Sequence, residues 1–251
     1  MNISEFNDLK HNVIVRLNQV ALLSRRLEEL LNQHSKIQVD ELSELSNHPL
    51  MNGPDYSKLA ADEGYRTISE VERLQKKDPE RYKNIMMQEE LKYRRGFIEF
   101  ESLMAKNIYP NLTLSSLVIL AFATFEQNLS LICNALSDLR TIKLRLSDLN
   151  GHSTLDKAQR YLIRVLEIPF DFSKSKRWQS IRGHQEVRNL LVHNGGLIDD
   201  SDKYDNLRKF IKSHKSVLAV RDNFLILQQD YIEIMIEDSQ QFLLEMFDKI
   251  K

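Results

Sequence analysis

Apolar residues recur at spacings of three and four from the start of the chain: Phe6, Leu9, Val13, Leu17, Val20, Leu23, Leu27 and Leu30. That period collects them on one stripe of an α-helix. With Ser4 as a candidate N-cap, the pattern predicts one long amphipathic helix lasting about four heptads, a candidate dimer arm whose seam Arg16 interrupts. Residues 46–66, with Asn47-His48-Pro49 and Asn52-Gly53-Pro54, read as the clearest loop. Thr67 with Glu70 fits a capping box, and Asp78-Pro79 supplies a cap followed by proline at the first helical position. The helix that follows is expected to reach Lys106, burying Tyr82, Ile85, Met86, Phe97, Phe100 and Leu103, and Tyr109-Pro110-Asn111 is expected to end it.

Beyond that point the pattern changes. Residues 113–139 are apolar almost all round, which predicts the central buried helix. Ser153 and Asp156 open another helix that ends before Pro169, and a basic linker, Lys174-Ser175-Lys176-Arg177, leads into a helix over residues 178–194. Gly195-Gly196 provides its left-handed C-cap, and Ser201 caps a short amphipathic piece through Leu207, Phe210 and Ile211. Val217–Val220 and Phe224–Leu227 flank Arg221-Asp222-Asn223 and predict a small β-hairpin. A last helix over 230–250 is to bury Ile232, Met235, Ile236, Phe242, Leu243, Met246 and Phe247. The expected fold is therefore all-α, a helical bundle with a C-terminal hairpin. Residues 1–110 read as an N-terminal helical extension and 111–251 as the functional domain.

Composition narrows the classes. Seven Gly and five Pro are too few for a sandwich or barrel with a turn every ten residues. Lone Cys133 has no internal disulfide partner and reads as a core residue in a reducing compartment. The longest uninterrupted apolar run, Leu117–Ala123, is far shorter than the ~20 residues of a membrane span, and no basic-then-apolar leader opens the chain. These features predict a cytoplasmic protein with no membrane partner. The net charge of -1 hides an asymmetry: residues 140–221 hold 17 Lys and Arg against 9 Asp and Glu, whereas the rest holds 18 against 27. Such a basic segment points either to an anionic partner such as a phosphate backbone or to complementary halves within the fold or a dimer.

No Gly-x-Gly-x-x-Gly, P-loop, His-Glu-x-x-His or Gly-x-Ser-x-Gly is present, and no two histidines lie three or four residues apart. No metal site and no cofactor are expected. What remains is the helix over 178–194. Val187, Leu190 and Leu191 fall on its core side, and Asn189 and His193, four apart, point together away from it. Arg188 lies about 140° from His193 on an ideal helix.

The string Arg188-Asn189-x-x-x-His193, followed by Asn194-Gly195-Gly196, resembles the HEPN superfamily of small helical proteins, many of them ribonucleases with an Arg-x(4–6)-His signature. The resemblance covers residues 111–251, with Phe125-Glu126 in the buried helix and the Phe224-Leu225-Ile226-Leu227 strand before the last helix. It implies metal-independent endonuclease cleavage of RNA in a toxin or phage-defence setting, at a composite site made by a homodimer, with an antitoxin or defence-system partner. Arg188, Asn189 and His193 would be the catalytic set. Histidine titrates near pH ~6.5, so it can move the protons of a 2'-OH attack, and arginine offers a planar fork to a developing phosphorane. One imidazole cannot be acid and base at once, so the resemblance makes dimerisation a requirement. Glu126, paired with Arg188 or Arg182, is a candidate supporting residue or the one exposed position of its helix. Lys174, Lys176, Arg177 and Arg182 are candidate RNA-phosphate ligands or a solvated basic face, and Trp178 and Tyr204 are candidate stacking rings or packing residues. Gly195 stands where one antitoxin-controlled HEPN branch has a modified tyrosine, which argues against that regulation. A second reading is a non-catalytic helical interaction module, with the N-terminal helix as its working part; a third is nucleotide binding without cleavage.

Overall fold

The structure, a computed structural model, describes residues 3–46, 68–228 and 230–250. Its elements are α1 (Ile3–Ser46), α2 (Ile68–Lys77), α3 (Pro79–Leu103), α4 (Tyr109–Leu139), α5 (Thr154–Arg164), α6 (Lys176–Asn194), α7 (Asp205–Ser213), β1 (Leu218–Arg221), β2 (Phe224–Leu227) and α8 (Tyr231–Phe247). Apart from Ser46, which ends α1, the expected loop and the Thr67 cap lie outside the described residues.

The chain divides into two compact units, Met1–Glu29 with Asn111–Lys251, and Leu30–Pro110. The first part of α1 thus groups with the C-terminal residues rather than with an N-terminal extension. The cause is its stripe: Phe6, Val13, Leu17 and Ser24 are buried, and the Phe6 ring meets Phe247 edge-on at 6.2 Å. Leu23 and Leu30, expected on the same stripe, are exposed.

In the larger unit α4 is the central core helix, with Phe122, Phe125, Leu129, Ile132 and Leu136 fully buried. The helical run Pro79–Leu139 holds an 18-residue window of mean hydropathy 1.6, long and apolar enough by length and composition alone to cross a membrane. Counting only the unbroken run Leu117–Ala123 missed this, since the window tolerates scattered polar residues. Phe242 of α8 anchors an aromatic cluster with Phe125, Phe170, Phe172 and Trp178, ring centroids 5.1–6.2 Å away. Trp178 is therefore a packing residue, buried in that cluster.

Pro110 does not end a helix. A π-helical turn, Met104–Ile108, precedes it, with the Tyr109 N–H bonded to the Met104 carbonyl. The wider turn leaves room for the proline ring that an α-turn would set against the carbonyl four residues back.

Three local devices position α6. Ser175 caps it, its hydroxyl accepting from the Trp178 N–H at 3.1 Å, so the expected basic linker supplies the cap and first turn. Gly195 ends it in the left-handed conformation, φ 58°. The hairpin braces that end: Leu225 N–H donates to the Gly196 carbonyl at 2.9 Å, and Ile198 N–H to the Asn223 carbonyl at 2.8 Å. Asp222 and Asn223, both at positive φ, form the two-residue turn that suits the twist of a tight hairpin.

Candidate active site

One face of α6 carries Gln185, Arg188, Asn189 and His193, at offsets of three, four and eight, and all four line a polar cavity of about 400 Å³. The opposite wall comes from Glu126 of α4 and from the segment that opens α5, with Gly151, His152, Ser153, Thr154 and Lys157. Arg188 and His193 thus share one cavity within a single chain, although an ideal helix separates their Cα directions widely. The length of the arginine resolves this: its guanidinium lies across Asn189, Nη1 donating to Asn189 Oδ1 at 3.0 Å. Asn189 therefore orients the arginine.

Glu126 faces Arg188, with Nη2 and Oε2 3.8 Å apart and both side chains largely shielded. Burial raises the Glu126 carboxyl above its ordinary range, while the Arg188 charge and a hydrogen bond from Thr154 oppose the shift. Arg188 Nε is buried without a hydrogen-bond partner. Arg188 also lines the cavity, so its guanidinium is the group that would meet an anionic ligand there.

Of the other residues singled out in the sequence, Arg182 donates to Asp156 at 2.7 Å instead of pairing with Glu126. Arg177 pairs with Asp238 of α8 and is committed to the fold. Lys174 pairs with Asp171 at 3.0 Å, and Lys176 lines a different cavity, with Glu186 and Lys209. Half-buried Tyr204 accepts a hydrogen bond from Asn194. The basic groups that do border the site were not picked out: Lys157 lines the cavity, and Arg160 and Arg164 line a neighbouring groove that shares Gly151 and His152 with it. Their spacing of three and four on the helix capped by Ser153 was the available signal. His152 was missed as well, because nothing local ties a loop histidine to one on α6.

Among the described residues no group of three or more His, Cys, Asp and Glu gathers as a metal site. The arrangement can hold an anion against Arg188 and present two imidazoles to it. No family model, curated protein or solved structure matches the chain.

Proposed function

We propose that this cavity cleaves RNA without a metal, as the resemblance of the Arg188-to-His193 string to HEPN ribonucleases implies. The observation that carries the reading is the convergence of Arg188, Asn189, His193 and His152 on one open polar cavity. One imidazole takes the proton of a ribose 2'-OH as its oxygen bonds to phosphorus; the other gives a proton to the 5'-oxygen as the P–O5' bond breaks. The products are a 2',3'-cyclic phosphate and a 5'-hydroxyl. Arg188, oriented by Asn189 and Glu126, meets the developing charge on the non-bridging oxygens. Lys157, Arg160 and Arg164 carry the flanking phosphates.

The second imidazole relieves the dimer of the task of supplying an acid or base. The homodimer keeps another role in this reading, walling the open side of the cavity through the exposed apolar side chains Val192, Leu197 and Phe224 that border the motif. The toxin or defence setting and the antitoxin partner are carried over from the same resemblance, and the cytoplasmic location from Cys133 read as a reduced core thiol.

The decisive assay is cleavage of single-stranded RNA in EDTA. The parent protein is expected to yield cyclic-phosphate ends. His193→Ala and Arg188→Ala are each expected to lose about 10²–10⁴-fold in rate. Cleavage undiminished in both variants, or absent from the parent, overturns the assignment.

A further inference from the structure

Arg160 lies against Gly151 in a contact that binding a flanking phosphate does not require. A Cβ on Gly151 would sit 2.2 Å from Nη2 of Arg160 and 3.0 Å from Cγ of Lys157, so the guanidinium occupies the place a side chain would take. Two bonds hold it there. Nη2 donates to the Asn150 carbonyl, and Nε, the neighbouring donor on the same edge, donates to the Asp156 carbonyl at 3.2 Å. One planar group thus ties the residue before Gly151 to the first turn of α5. The other side of the loop is tied as well: Ser153 Oγ accepts from the Asp156 N–H at 3.1 Å and donates to Asp156 Oδ2 at 2.7 Å. Asp156 in turn accepts from Arg182 of α6 through its other oxygen. His152 stands between these two ties, exposed and on the cavity.

We propose that Arg160 is a positioning residue: packed on Gly151 and bonded to Asn150 and Asp156, it fixes the loop that keeps the His152 imidazole on the cavity that His193 lines. Proton transfer slows steeply when the group that gives or takes the proton is misplaced, and a loop side chain has no helix to aim it. The role rests on the nuclease reading and adds to it. Both bonds go to neutral carbonyls, so the arginine keeps its charge for a flanking phosphate. The two roles make different demands. Holding a phosphate needs the charge alone, whereas holding the loop needs the two-donor fork and a bare Gly151 beneath it.

Kinetics of single-stranded RNA cleavage in EDTA, on the full chain, test it. Gly151→Ala leaves every charge in place and suits the backbone, since Gly151 lies outside the left-handed region. Its methyl displaces the movable end of Arg160. The expected result is a kcat about tenfold lower with KM changed less than about twofold. Arg160→Lys keeps the charge but offers one nitrogen in place of the rigid fork, and its kcat should fall about tenfold as well. In a His152→Ala background, Gly151→Ala should cost less than about twofold more, because a positioning residue loses its effect with the group it positions. Full kcat in either single variant, or a tenfold loss that persists in the His152→Ala background, overturns the positioning role; parent cleavage that is lost in His193→Ala then leaves the nuclease reading standing. A parent that does not cleave overturns both.

Discussion

His184 and His193 sit on the same helix, yet they occupy opposite kinds of environment. His184 is fully buried on the side of α6 that packs against α8. Its Nδ1 is 2.9 Å from the Tyr231 hydroxyl, and its Nε2 is 3.2 Å from Asp238, which also holds Arg177. Both ring nitrogens of His184 and both carboxylate oxygens of Asp238 have partners, and such a network stabilises one arrangement of helices. His193 stands exposed at the end of the helix, on a cavity with room for a ligand. A histidine whose hydrogen bonds are all made within the fold is structural; one that lines an open cavity beside an arginine is accessible to a ligand.

The largest effect on stability should come from removing the buried partner. His184→Ala leaves Asp238 shielded without its imidazole, and an expected loss of about 3 kcal/mol follows. His193→Ala should change stability by less than about 0.5 kcal/mol. Denaturant titrations of the two variants side by side decide this, and equal losses would erase the distinction between the two positions.

Gly183 comes next. A Cβ there would sit 2.1 Å from the Phe210 ring, so α6 and α7 meet only because the side chain is absent. Gly183→Ala is expected to cost about 2 kcal/mol through overpacking. The same titration should also show that Gly195→Ala costs less, since at φ 58° the added methyl strains the backbone but meets no neighbour among the described residues.

The smallest effects are those of pH, and two groups pull in opposite directions. Burial lowers the His184 pKa, with Asp238 opposing and the His214 charge adding to the shift. The folded state therefore favours the neutral ring: its stabilisation is complete above the unfolded value near 6.5 and is lost as pH falls through the lower folded value. Glu28 behaves inversely. Burial first, then Glu233 and Asp230, raise its pKa to about 7, against the pull of Arg25. Its contribution is present below the unfolded value of 4.5 and is lost as pH rises through about 7. Glu28→Gln should accordingly raise the melting temperature more at pH 8 than at pH 5. A shift of equal size at both values would mean that the carboxyl titrates normally.

How much of this could be read from the sequence depends on how local each cause is. The caps at Asp78, Ser153 and Gly195 and the hairpin turn follow from residues within a few positions of one another, and the structure places them as the pattern predicts. Pro110 misled because the turn that accommodates it lies just upstream and has no sequence signature of its own. The basic residues at 174–177 stood out as a run. The acid that engages Arg177 is 61 residues away on α8, so its commitment to the core was invisible. Separation in sequence likewise hid His152 from His193. Ideal-helix angles also failed for Arg188, because they locate Cα atoms and say little about where a long guanidinium ends.

The brace between the hairpin and the end of α6 has a consequence for fraying. Terminal helical turns ordinarily open and close with little free-energy cost. Here the turn bearing His193 leads directly into backbone bonds from Gly196 and Ile198 to a strand and turn some thirty residues further on. Fraying of that turn is therefore coupled to detachment of the hairpin, so the imidazole is held by more than the end of one helix.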